Sequence, residues 1–181
     1  MKVFMNHIFL YSFAFVAIVL FTDCKYSSIG FQEFTKEIYD DIGEPEISYE
    51  CFHNGLIGYY YLLHKGKLNN DRYLSIADMT KSANVDRFYL IDMLSHKLIY
   101  KSLIAHGKNT GDEFAKHFSN VENSNQSSFG FYTTAESYYG DNGLSMRLNG
   151  LEYCNNNARK RDIVLHKADY VSYKYISENG R

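Results

Sequence analysis

Apolar side chains recur at Phe31, Phe34, Ile38 and Ile42, at spacings of three and four, until Gly43 and Pro45 interrupt them. That period predicts a short amphipathic helix ending at the glycine. A second helix is expected over about 48–65, where Cys51, Phe52, Leu56, Tyr59, Tyr60, Leu62 and Leu63 supply an apolar face. Gly66 stands where a helix C-cap would. Gly55 and Gly58 fall inside this helix, and small residues there would let a sheet approach closely. From Tyr73 the period shortens to that of strands. Runs are expected at Tyr73–Asp78, Arg87–Asp92, Leu98–Ala105, Phe129–Thr134, Leu144–Leu148 and Asp162–His166. Met93-Leu94-Ser95-His96-Lys97 reads as a hairpin connection, and Asn142-Gly143 as a tight turn. Residues 107–128 are rich in Gly, Asn, Ser and charge; a loop of that length is uncommon unless it is functional or mobile. The order is helices first and antiparallel strands after, which is an α+β fold, mainly β with N-terminal helices.

The start of the chain follows another pattern. Met1-Lys2 precedes an apolar run from Ile8 to Phe21. A positive start and a run of that length describe an export signal, and the run is short for a membrane span of about 20 residues. Residues 1–24 are therefore expected to be a signal peptide or a membrane anchor, with residues 25–70 a helical lead-in and 71–181 a β domain. The exported chain would reside in the periplasm or cell envelope. Cys24 stands where a bacterial lipoprotein carries its lipidated cysteine, but Asp23 occupies a position where a small residue is expected.

Composition adds to this in three ways. Tyr and Phe carry the aromatic content, with no Trp and a single Pro, a balance that leans towards β structure. A net charge of −2 implies no general attraction to nucleic acid. Three cysteines, Cys24, Cys51 and Cys154, do not make a disulfide framework, although Cys51 and Cys154 could pair in an oxidising compartment.

The candidate chemistry lies in the last third: AHGKNTG (105–111), FSN (118–120), SSFGFY (127–132), GLSMRLNGLE (143–152) and RDIVLHKADYV (161–171). In this order the segments resemble the catalytic domain of murein L,D-transpeptidases, the YkuD-like cysteine acyltransferases. The resemblance implies a β-sandwich or mixed sheet acting on peptidoglycan stem peptides, with neither metal nor cofactor. In such enzymes a thiolate attacks the carbonyl of the third stem residue and expels the terminal D-Ala. The thioester then passes to an amine of a second stem, giving a 3→3 cross-link, or to water. The thiol needs a base, because a free Cys titrates near ~8.5, and the oxyanion needs donors.

His166, at the end of Ile163-Val164-Leu165-His166, matches the family histidine, implied as general base for the thiol and acid for the leaving amine. Lys167 departs from the glycine usual after it. A cation there opposes imidazole protonation and favours a thiolate; its long side chain would equally fill space that substrate needs. His106, Gly107, Ser127, Ser128 and Gly130 match segments that line the family's cleft. A surface role for His106 and plain turn chemistry for the two serines are the alternatives. Arg159 and Arg161 match a basic pair, read either as partners of a stem-peptide carboxylate or as a solvated loop face. The family's nucleophile belongs to a Gly-Arg-Ser-x-Gly-Cys-Pro stretch about twenty residues past the histidine, and Gly180-Arg181 falls at its start. The expectation is a truncated β domain lacking that cysteine. A non-catalytic peptidoglycan-binding relative and an unrelated exported β-sandwich binding module are the competing readings.

Overall fold

The computed structural model describes residues 30–44 and 46–180. The expected leader over residues 1–24, Cys24 within it, and Pro45 lie outside the described residues. Contacts divide the chain into a unit ending at Asp41 and a second unit, Ile42–Arg181. In the first, helix α1 is described over residues 30–42. Lys36 and Asp40 pair one turn apart on its surface. Gly43 follows with φ 63°, a left-handed conformation that stops the helix at little steric cost.

The second unit opens on α2 (Tyr49–His64), whose N-cap Ser48 accepts the Cys51 amide at 3.3 Å. At its end Gly66, at φ 61°, lets the amides of Gly66 and Lys67 reach the carbonyls of Leu63 and Leu62. Phe52, Leu56 and Tyr59 recur at spacings of four and three and are buried, which places them on one stripe of the helix. Burying such a side chain is worth ~1.5–3 kcal/mol. The expectation for the two helical glycines holds. A methyl on Gly55 would come within 3.3 Å of Ile76, and one on Gly58 would enter the Phe131 ring.

Two antiparallel three-stranded sheets follow, and the fold is mixed α+β. The first joins β1 (Tyr73–Ala77), β2 (Phe88–Asp92) and β3 (Lys97–Ser102) in chain order. Its central strand buries Tyr89 and Ile91 on the side chains' alternate positions. The second joins β4 (Tyr132–Gly140), β5 (Gly143–Gly150) and β6 (Val164–His166), again in chain order. Gly140 pairs with Gly143 across Asp141-Asn142, so the Asn-Gly turn closes this hairpin. A short helix, α3 (Tyr173–Asn179), ends the described residues. Among these helices none is long and apolar enough to cross a membrane.

Most strand bounds differ by one to three residues from expectation, the Leu98–Ala105 run ending at Ser102 and the Asp162–His166 run beginning at Val164. The larger differences have local reasons. The strand expected at Phe129 begins at Tyr132, because Gly130 adopts φ 113° and the Phe131 amide is taken by Glu152 Oε2 at 2.7 Å. That strand then runs on to Gly140, across a register shift between Thr134 and Ser137 that hides its alternation. Helix α3 was not expected. Its signals are the N-cap Ser172, which accepts the Tyr175 amide, and Gly180 at φ 84°.

Candidate active site

A cleft of about 2310 Å³ opens among α2, the two sheets and the connecting segments of the second unit. It is wider than the ~300–1,000 Å³ usual for a small-molecule pocket. His106, Gly107, Ser127, Ser128, Gly130, His166 and Lys167 all line it. The seven positions, spread over 60 residues of sequence, therefore face one space.

His166 arrives on β6, paired through Ser145 on β5. Its Nδ1 lies 2.8 Å from the Lys167 carbonyl oxygen. A carbonyl only accepts, so Nδ1 donates, and the neutral ring in this tautomer has its lone pair on Nε2. Among the described residues Nε2 has no hydrogen-bond partner, which is what a proton acceptor awaiting a substrate or thiol requires. The Lys167 side chain is 85% exposed, with Nζ 3.7 Å from Asp169 Oδ1.

Another part of the lining is the long segment between β3 and β4, which is irregular but heavily hydrogen-bonded. Ser127 accepts the Gly107 amide at 2.9 Å and passes its own amide to Thr110 Oγ1 at 2.7 Å. Gly107 must be glycine, because a methyl there would lie 2.6 Å from the Asn125 carbonyl oxygen. Ser128 Oγ donates to the Ser119 carbonyl at 2.9 Å and accepts from Arg161. Gly130, at φ 113°, sits where a side chain would meet Glu152, Asn155 and Cys154. The two serines thus hold the wall together with the same hydroxyls that were expected to face a peptide.

His106 is also committed. Arg87 Nη2 donates to its Nδ1 at 2.8 Å, so its Nε2 carries the proton and donates to the Gly111 carbonyl at 3.1 Å. Arg87 is wholly buried. Its other donors reach the carbonyls of Ile104 (3.0 and 2.8 Å) and Lys81 (2.9 Å). Burial pulls the guanidinium below its ordinary pKa, opposed by the negative charge of Asp78. Sequence reasoning placed Arg87 at the head of a strand and missed this role; a charged residue opening an otherwise apolar strand was the available signal.

The basic pair divides. Arg159 forms a salt bridge with Glu136 at the surface. Arg161 reaches inward instead, to Ser119, Ser124, Gln126 and Ser128, so the solvated-face reading fails for it. Asn120 reinforces the same contact, donating to Asn156 and the Tyr153 carbonyl while Asn157 donates back to it.

Neither described cysteine is prepared as a nucleophile. Both are free thiols, so the possible pairing of Cys51 with Cys154 is not made. Cys51 lines the cleft from α2, but burial, then Asp78, then Glu50 push its pKa up to about 11, the opposite of what attack needs. Cys154 donates its S–H to the Phe129 carbonyl at 3.4 Å. Among the described residues no group of three or more His, Cys, Asp and Glu side chains could hold a metal.

A half-buried imidazole on a strand of an α+β fold thus lines a wide cleft together with a hydrogen-bonded polar wall. The sequence pattern of the L,D-transpeptidase catalytic domain matches residues 43–181, most of the chain, and the protein belongs to that family. Helix α2, both sheets and α3 fall inside the match. Searches of curated proteins and of solved structures returned no match.

Proposed function

We propose that the cleft binds peptidoglycan stem peptides and that His166 is the proton-transfer residue of cysteine acyl transfer. The observation that carries this is His166, its Nε2 without a partner among the described residues, lining the same cleft as residues of the 105–130 wall in a family whose members act on this substrate. His166 would take the proton of a thiol as it attacks the stem carbonyl, and would return it to the amine of the departing D-Ala. Residues 1–181 contain no Gly-Arg-Ser-x-Gly-Cys stretch. With Cys51 held protonated and Cys154 bonded to a carbonyl, the reading for these residues by themselves is substrate binding without turnover. Export to the periplasm or cell envelope belongs to the same proposal, supported by the apolar run Ile8–Phe21.

The test has two arms. Incubated with a disaccharide tetrapeptide and followed by mass spectrometry, the chain is expected to release no D-Ala. Mixed with intact peptidoglycan sacculi, it is expected to sediment with them. D-Ala release that vanishes in Cys154→Ala would overturn the assignment of that thiol, and failure to sediment would sink the wall-binding reading.

A further inference from the structure

We propose that Arg161 is a positioning residue, fixing the wall segment 119–128 to the segment that leads into the strand carrying His166, and that ligand binding depends on its planar fork. The inference rests on the peptidoglycan reading above. Arg161 lies five residues before His166, and its side chain crosses to a segment 33 to 42 residues away in sequence. Four distinct acceptors meet the two terminal nitrogens: the Ser119 carbonyl at 2.6 Å and Ser128 Oγ at 2.5 Å on Nη1, and Ser124 Oγ at 3.0 Å and the Gln126 carbonyl at 2.6 Å on Nη2. Two terminal nitrogens carry four N–H groups, so every one of them is used. Nε is buried with no partner among the described residues, which leaves the guanidinium held from one side only, by the wall.

Charge pairing does not account for this placement. Its neighbours are neutralised, Arg159 by Glu136 and Lys160 by Glu122, whereas Arg161 forms no salt bridge with a described carboxylate. What the site uses is shape. A flat fork gathers two carbonyls and two hydroxyls from residues 119–128 onto its two terminal nitrogens, and a single ammonium has neither the donors nor the geometry to do so. Ser128 then passes the restraint on, because its carbonyl accepts the Tyr132 hydroxyl at 2.9 Å at the start of β4. The wall bearing Ser127, Ser128 and Gly130 is thereby registered against β6 through one side chain.

Arg161→Lys keeps the charge and removes the fork. Binding of a disaccharide tetrapeptide, measured by calorimetry, is expected to weaken at least about tenfold, the loss of one or two charge-assisted hydrogen bonds. Hydrogen exchange is expected to quicken across residues 119–128 and to stay unchanged in β2. The NMR shift of the His166 ring on ligand addition, present in the unaltered chain, should shrink in the variant. Lys36→Gln, on the surface of α1, should change none of these. Ser124→Ala removes one acceptor from the wall side without touching the cation, and should weaken binding in the same direction even if Arg161→Lys does not fold. Binding by the unaltered chain that both variants leave intact overturns this inference alone. No binding by the unaltered chain overturns the peptidoglycan reading and this inference with it.

Discussion

Gly130 and Gly66 both hold left-handed backbone, at φ 113° and 61°, yet their surroundings differ. Nothing lies within 4 Å of the methyl that Gly66→Ala would add, whereas at Gly130 it would meet Glu152, Asn155 and Cys154. Gly66→Ala is expected to cost ~1 kcal/mol, the left-handed penalty alone. Gly130→Ala should cost about 1–3 kcal/mol more, since the contact must also be relieved. Urea unfolding of the two variants decides this, and equal losses would show that the packing around Gly130 yields freely. Cysteine reactivity is the second residue-scale prediction. With its pKa pushed up to about 11 by burial and two carboxylates, Cys51 has almost no thiolate near neutral pH. Iodoacetamide followed by peptide mapping should leave Cys51 unlabelled long after an unfolded control has reacted fully. Rapid labelling of the folded chain would contradict the geometry of α2 against β1.

At the scale of elements, the ends of β1 and β2 are tied by one carboxylate. Arg72, just before β1, donates to Asp92 Oδ2 through Nε at 2.9 Å and Nη2 at 2.8 Å, while Leu94 and Ser95 donate to Oδ1 in the turn that follows. The Arg72 hydrogen bonds lead in holding the Asp92 carboxyl below its ordinary pKa. A depressed pKa means this stabilisation is complete above the unfolded value of ~3.9 and is lost as pH falls through the folded one. Asp92→Asn should therefore be less stable than the parent at neutral pH and should flatten the acid limb of a thermal unfolding profile. An acid limb of unchanged slope would place the sensitivity elsewhere. The elements themselves were largely legible beforehand. The period of Phe52, Leu56 and Tyr59 announced α2, and Asn142-Gly143 announced the β4–β5 turn. The extension of β4 to Gly140 was not legible, because the register shift between Thr134 and Ser137 breaks the alternation on which such readings depend. Nor was α3, whose seven residues are too few to show a helical period and are marked only by their caps.

Across the whole molecule, the two sheets leave their outer strands paired on one side only among the described residues: β1 and β3 with β2, and β4 and β6 with β5. On β3, Ile99 and Tyr100 are 49% and 58% exposed. An open edge with apolar side chains is a template for intermolecular pairing. Light scattering should detect concentration-dependent association, and Ile99→Lys should reduce it by placing a charge on that edge. Equal scattering from both proteins would exclude β3 as the contact.

The sequence by itself determined the class of fold, the position of most elements and the family, because periodicity, caps and motif order are properties of neighbouring residues. It also selected the positions that line the cleft. Only the tertiary structure decided what they do there. Ser127, Ser128 and His106 were read as groups facing a ligand; in the fold they also take wall contacts, Ser127 with Gly107, Ser128 with Ser119 and Arg161, and His106 with Arg87 and Gly111. His166 lines the cleft, and among the described residues its Nε2 has no hydrogen-bond partner. Hydrogen-bonding capacity is spent by partners up to 42 residues away, as at Arg161 and Ser119, and no local pattern in a chain records which distant partner will arrive.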